Sequence, residues 1–384
     1  MNLGELPSAA RVDIVGGGLI GLACGLAISV ARPKWRLTVW DPGPREHAAS
    51  WAAAGMIAPA HELLREPNGC PLHVDLALAS RRLWPGFADR LRAFAAMDPG
   101  LDVRPSWLAS CNRTETEELR RLLTASRSAG FAGQLHEADA LPAEVRWAGG
   151  VEAVAELSSD IQVDNRALLT ALSRAAERSG VQTCGERYAP ERSDADLILV
   201  AAGWQTARLG RWLGSTVRQI SPVKGQLLAL AANAEGVPRV VRHGSIYIAP
   251  KPDRIVVGAT VEPGRSDLDL LATAQDALQE AAARVVPALA DAPVITRWAG
   301  VRPATPDGAP LVGRVEGADR PTLIAAGHYR NGVLLAPVTA ALALHHLGID
   351  PQDAGFPADL AATLASLARA WNPARFEASL ASSG

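Results

Sequence analysis

Gly16-Gly17-Gly18-Leu19-Ile20-Gly21 constrains this chain more than any other six residues. The run follows Arg11-Val12-Asp13-Ile14-Val15, which reads as a strand, and opens the apolar stretch Gly21–Ala31, which reads as a helix. Three of the glycines have separate tasks. Gly16 permits a tight turn, Gly18 lets a pyrophosphate approach the backbone, and Gly21 lets the helix pack close to the strand. The first helical turn, with Leu19 and Ile20, then points free N–H groups and the positive end of its dipole at the phosphates. Asp41 ends a second strand, Arg36–Trp40, and lies 20 residues after Gly21. An acidic side chain there suits the ribose hydroxyls of an adenosine and repels the 2′-phosphate of NADP. These features point to a dinucleotide site. They do not separate NAD from FAD.

Ile14 to Ala31 is an uncharged stretch of 18 residues, long enough to raise the question of a membrane span. Five of its residues are glycine, four of them within Gly16–Gly21, where they break a helix. No integral membrane segment is expected, and with no export signal the chain reads as cytoplasmic. With 38 basic and 40 acidic residues and no basic run, the composition offers nothing to nucleic acid. Cys24, Cys70, Cys111 and Cys184 form no CxxC and no pair with metal-ligand spacing, so they read as reduced thiols without a metal.

Farther along, Leu72 to Ala96 predicts two helices broken near Trp84-Pro85-Gly86. Amphipathic helices are expected at Glu115–Gly130 and Arg166–Ser179. A strand near Val181–Cys184 and the buried parallel strand Leu197–Ala202, stopped by Gly203, come next. Gln226–Ala231, Ser245–Ala249 and Arg254–Thr260 are β-rich, with a turn at Pro252-Asp253. A helix at Thr273–Arg284, a strand at Leu323–Ala326 and an apolar helix at Leu334–Leu347 close the pattern. An antiparallel region thus interrupts an α/β chain. The expected fold is α/β plus α+β, a Rossmann-like dinucleotide domain interleaved with a domain on a large antiparallel sheet. The expected division assigns residues 1–65, 151–218 and 303–384 to the first and 66–150 and 219–302 to the second.

Several further blocks carry a resemblance. They are Ala52-Ala53-Ala54-Gly55-Met56, Pro222-Val223-Lys224-Gly225-Gln226, Tyr247-Ile248-Ala249-Pro250, Val256-Val257-Gly258-Ala259-Thr260, Trp298-Ala299-Gly300-Val301-Arg302-Pro303, Asp307-Gly308, and Gly327-His328-Tyr329-Arg330-Asn331-Gly332-Val333-Leu334-Leu335-Ala336-Pro337. In this order the chain resembles the D-amino-acid oxidase family of FAD enzymes, nearest its glycine-oxidising branch in thiamine biosynthesis. The resemblance implies noncovalent FAD, an antiparallel substrate domain and, often, a homo-oligomer. It implies oxidation of an amine beside a carboxylate, with O2 reduced to hydrogen peroxide.

The resemblance also assigns residues. Arg302 corresponds to the family's carboxylate-binding arginine, and a guanidinium fork matches a carboxylate bidentately. Tyr247 corresponds to the tyrosine that helps hold that carboxylate. Arg330 corresponds to an arginine near flavin and substrate. Ser50, Ala53, Ala54, Gly55, Met56, Gly203, His328, Asn331, Gly332, Val333 and Leu334 complete the expected FAD contacts. His328 reads as a positioning group rather than a base. The final helix should start at Gly332–Leu335 and aim its N-terminus at the negative charge of reduced flavin. Trp51 stands where the family has a small residue, and loop Pro42–Ala49 departs from the family pattern. Two other readings stay open at this point: a dehydrogenase of D- or N-methyl amino acids with an acceptor other than O2, and a noncatalytic flavoprotein.

Overall fold

A computed structural model describes residues 6–60, 71–128, 130, 132–214, 216–231 and 236–376. Cys70 and the expected division at 65 lie outside them. A six-stranded sheet holds the glycine fingerprint. Its order is Leu311–Arg314, Thr322–Ala326, Leu197–Val200, Arg11–Val15, Arg36–Trp40, Gln182–Cys184. All neighbours are parallel except the Leu311–Arg314 pair at one edge. Leu197–Val200 is buried along its whole length, as its unbroken apolar run requires of a central parallel strand. Helix Leu19–Ala31 lies on this sheet so closely that a Cβ on Gly25 would come 2.8 Å from Ile14 Cδ1. Helix Gly332–His346 is apolar on all sides and joins the same core.

The second sheet has nine strands. At its centre Ser221–Ala231 pairs antiparallel with both Val294–Ala304 and Arg254–Gly258. Ile246–Pro250 and Val241–His243 continue it, and Ser106–Ser110, Ala153–Leu157 and Gly133–Glu137 extend the far side. Met56–Ile57, Ile161–Val163 and Leu101–Asp102 form a small third sheet. The expected mixture of a parallel sheet and a large, mainly antiparallel one is present.

Two expectations change. Pro71–Ala95 is one helix that runs through Pro85. Pro85 and Gly86 sit on its exposed side, while Trp84 and Phe87 anchor the opposite face in the core. The division of the chain also shifts. That helix, placed by the sequence in residues 66–150, packs into the first core through Leu83, Trp84, Phe87 and Leu91. Trp84 Nε1 and Ser80 Oγ both donate to Leu334 O, at 3.1 and 2.6 Å. Ala153–Leu157, placed beyond residue 150, pairs inside the second sheet with Ser106–Ser110. A helix's loyalty is set by which apolar face it finds, and a strand's by its neighbours, and neither is written in chain order.

Candidate active site

The fingerprint closes on itself as its glycines require. Gly16 has φ +110°, and a Cβ there would come 2.5 Å from Ala201 O. A Cβ on Gly21 would overlap Gly16 O. Gly21 therefore packs the helix against the turn, and its neighbours in the motif border a cavity. Gly16, Gly18, Leu19 and Ile20 line it. Asp41 lines it too, and its carboxylate also braces the turn. Oδ2 accepts from Gly17 N at 2.8 Å and Oδ1 from Gly43 N at 3.1 Å. Ser50 Oγ accepts from Leu19 N at 3.2 Å, holding the first helical turn against the segment that follows it in space.

That segment is helix Ala49–Ala52 and strand Met56–Ile57. Its carbonyls are gripped from outside. Asn165 Nδ2 donates to Ser50 O and Trp51 O at 3.1 and 2.6 Å, and Trp298 Nε1 to Ala52 O at 3.0 Å. The Arg166 guanidinium stacks 3.8 Å over the Trp51 ring, which gives the large residue at this position its packing partner. Gly55 has φ +73° and lies against Val163 O with no space for a side chain. Ser50, Ala53, Ala54, Gly55 and Met56 all border the same cavity, as does Gly203 with φ +57°.

The cavity, of about 520 Å³, reaches from these residues to one face of the antiparallel sheet. Strand register explains which side chains meet there. Leu227 pairs with Gly258, Gly258 with Tyr247, and Tyr247 with Arg242, so all four share a face. Arg302 pairs with Val223 on the same long ladder. The glycines make room: a Cβ on Gly258 would come 2.5 Å from Tyr247 Oη, and one on Gly225 would overlap the Arg302 guanidinium. Both functional groups thus lie flat across a neighbouring strand. Arg302 Nη1 donates to Thr260 O at 3.2 Å and, more weakly, to Lys224 O at 3.5 Å. Among the described residues no carboxylate pairs with it, so its fork is open to a carboxylate in the cavity. Lys224, fully buried beside it, is instead held by Asp267, Nζ to Oδ1 2.6 Å. Burial pushes the Tyr247 phenol up to about 12, against the pull of Arg302 and Arg242. It stays a neutral hydrogen-bond donor.

The loop before the last helix borders the cavity between its two ends. Gly327 has φ +81°, and Tyr329 N donates to Pro303 O at 2.7 Å, tying the loop to the strand that carries Arg302. His328 is buried, its Nε2 3.0 Å from Thr339 Oγ1, and burial pushes its pKa down to about 3. It is neutral at ordinary pH and fastens the loop to the helix. Arg330 lies 5.0 Å over the Tyr329 ring and lines the cavity with Asn331, Gly332 and Val333. The helix starts at Gly332, and its first backbone bond runs from Leu335 N to Asn331 O. The N–H groups ahead of it have no acceptor within the helix. The Leu334 side chain is in the core, turned by helical spacing away from Gly332 and Val333, while its N–H is one of these groups.

Sequence reasoning did not find Arg242 or Asn165. No motif marks Arg242, and only its register against Tyr247 brings it to the cavity. Asn165 acts through its amide on backbone far away in sequence, and no motif marks that.

The residues fit FAD. The glycine cradle leaves no space for side chains, helix N–H groups lie at the phosphate end, and a second helix N-terminus lies by the far part of the cavity. When bound, FAD supplies two-electron redox chemistry. The family of FAD-dependent oxidoreductases matches residues 11–345. The chain belongs to this family. The glycine oxidase of Geobacillus kaustophilus (strain HTA426) is 34% identical over 352 residues, 86% of this chain and 91% of that protein. The bifunctional protein ThiO/ThiG of Synechocystis sp. (strain ATCC 27184 / PCC 6803 / Kazusa) is 31% identical across 88% of this chain and 51% of its own length. The crystal structure of the Geobacillus kaustophilus glycine oxidase superimposes with a TM-score of 0.82 at 30% identity, covering 96% of this chain and 99% of that one. This FAD-dependent oxidoreductase has no helix among the described residues that is long and apolar enough to cross a membrane.

Proposed function

We propose that this enzyme oxidises glycine or a similarly small primary or N-methyl amino acid and reduces O2 to hydrogen peroxide. One observation carries the reading: the open fork of Arg302 and the phenol of Tyr247 face the same cavity that begins at the fingerprint glycines. A carboxylate held by these two groups would leave the adjacent amine-bearing carbon in the cavity that Ala53–Met56 also borders. Binding and orientation then do most of the catalytic work. The substrate gives up two electrons and two protons and becomes an imine. Water converts the imine to a 2-oxo acid and ammonia, or methylamine from an N-methyl substrate, and O2 takes up the electrons and protons. No side chain has to act as a base, since neutral His328 is occupied by Thr339. In the glycine case the imine is itself a usable product for making a thiazole ring, which places the enzyme in thiamine biosynthesis. We extend the proposal to a homo-oligomer, which only the family resemblance implies, in the cytoplasm.

The FAD-loaded protein should lose its yellow colour anaerobically when glycine is added, and should form peroxide in air without added acceptor. Bleaching without peroxide, with reduction of a dye instead, would make it a dehydrogenase. A flavin that no amino acid bleaches would end the catalytic reading altogether.

A further inference from the structure

Cys111, Glu115 and His243 take no part in the reading above. The fold brings their thiol, carboxylate and imidazole to one point. Cys111 Sγ, a Glu115 carboxylate oxygen and a His243 ring nitrogen all lie within 4.8 Å of one another. Strand pairing sets this up. Ser106–Ser110 runs parallel beside Val241–His243, with Trp107 opposite Val241 and Leu108 opposite Arg242, so the two strands finish side by side. Cys111 follows the first strand directly, and His243 closes the second. Helix Arg113–Ser128 starts next, with Glu115 in its first turn. Glu115 reaches back, its Oε2 accepting from Cys111 N at 2.7 Å and lying 3.3 Å from His243 Nε2. All three side chains are half-buried, held in place yet open to small solutes. Glu152 brings a second carboxylate, its backbone N donating to Ser110 O at 2.9 Å. Burial and then the charges of Glu115 and Glu152 push the Cys111 thiol up, with Arg284 opposing them.

From this geometry we infer that Cys111, Glu115 and His243 form a binding site for a divalent zinc ion, separate from the oxidation chemistry. Thiolate and imidazole suit zinc, whereas magnesium and calcium take oxygen ligands. Zinc holds its ligands at about 2.0 to 2.3 Å in a tetrahedron, which puts ligand atoms about 3.5 Å apart. From 4.8 Å or less, the three side chains draw together by at most about 1.3 Å to reach that spacing. The fourth position takes a water. As the Zn–S bond forms, the thiol gives its proton to solvent. Glu152 then faces a cation instead of only a neighbouring carboxylate. Sequence spacing hides such a site, because His243 meets Cys111 and Glu115 only through the pairing of distant strands. The place has a structural consequence. His243 leads through Gly244 and Ser245, which border the cavity, into Ile246–Pro250, which carries Tyr247. A metal at His243 ties this hairpin to helix Arg113–Ser128.

The test uses the untagged, FAD-loaded protein, freed of metal by a chelator, with zinc chloride as the probe. Calorimetric titration should show one ion per chain with a Kd of about 10 μM or tighter. Cys111→Ser and His243→Gln should each weaken binding by at least about tenfold. Cys184→Ser, in the other sheet, should leave it unchanged. Cobalt(II) in place of zinc should give the visible bands of a tetrahedral ion, at longer wavelengths than flavin absorbs, and Cys111→Ser should remove them. In the native chain, zinc should slow alkylation of Cys111, read by mass spectrometry, and magnesium should not. If a variant does not fold, the cobalt spectrum and the alkylation of the native chain decide. A native Kd weaker than about 10 μM overturns the inference. Binding that both Cys111→Ser and His243→Gln leave in place overturns it as well, as does alkylation at an unchanged rate in saturating zinc. None of these readouts depends on oxidation of an amino acid, so the proposed function stands or falls separately.

Discussion

Replacing Arg302 by alanine deletes the anchor without touching the cofactor's cradle. Its Nη1 donates to Thr260 O and Lys224 O, both backbone carbonyls on the rim of the ladder, so the folded chain loses only modest contacts. What disappears is the fork that faces the cavity. Truncating one partner of an enclosed, hydrogen-bonded charge pair costs about 2 to 4 kcal/mol. At tenfold per 1.4 kcal/mol, a loss of about 3 kcal/mol corresponds to roughly a hundredfold in affinity. The assay is anaerobic stopped-flow reduction of the flavin over a range of glycine concentrations. The apparent Kd should rise by about that factor, with a smaller change in the limiting reduction rate. An unchanged visible flavin spectrum shows that FAD is still in place. Arg302→Lys should recover only part of the affinity, because an ammonium is a point charge and cannot offer two parallel donors. A Kd for glycine within about threefold of the native value would refute the assignment of Arg302 as the carboxylate anchor, since a fork worth about 2 to 4 kcal/mol does not vanish silently.

Three other outcomes follow from the same geometry. Gly225→Ala puts a methyl group where the Arg302 guanidinium lies, so the flexible arginine must swing away; KM for glycine should rise about tenfold or more while FAD affinity holds, and equal KM values would contradict the packing described. Tyr247→Phe keeps the ring over Gly258 and removes a neutral donor, so kcat/KM should fall about tenfold, with no phenol ionisation visible in the native pH profile below pH 10 because burial holds that group near 12. His328 is pushed down to about 3 by burial, from 6.5 in the unfolded chain, so the unfolded state binds more protons between those values and stability falls as pH drops through that window. The slope is up to about 1.4 kcal/mol per pH unit. Melting temperatures from pH 7 to pH 5 should therefore fall less steeply in His328→Asn, which keeps a partner for Thr339 but does not titrate; a parallel fall in both proteins would count against a buried neutral histidine. His346, pushed down to about 4 mainly by burial, titrates in the same window, so the variant should flatten only part of the slope.

Much of the cofactor half was legible in the sequence because its rules are local. A turn with φ +110° at Gly16 needs glycine, a helix that touches the turn's own carbonyl needs glycine at 21, and an unbroken apolar run at Leu197–Val200 needs burial on both faces. The start of the last helix at Gly332 was readable for the same reason. Local rules fail where a partner comes from elsewhere. Nothing near Pro85 says that its helix continues, because the decision belongs to the core that grips Trp84 and Phe87. The Leu334 side chain belongs to a binding motif yet turns into the core, since a motif names a stretch of chain and helical geometry decides which side chains turn outward.

The substrate end shows the division most clearly. By itself the sequence determined that this chain builds a dinucleotide fold broken by an antiparallel sheet, and resemblance singled out Arg302 and Tyr247. Tertiary structure alone decided that these two lie over Gly225 and Gly258, and that Arg242 joins them on the same face. The physical reason is register. Side chains alternate across a strand, so a slip of one residue would send all of them to the other side of the sheet, and that choice is made by pairing between segments as distant in the chain as those of Val223 and Arg302.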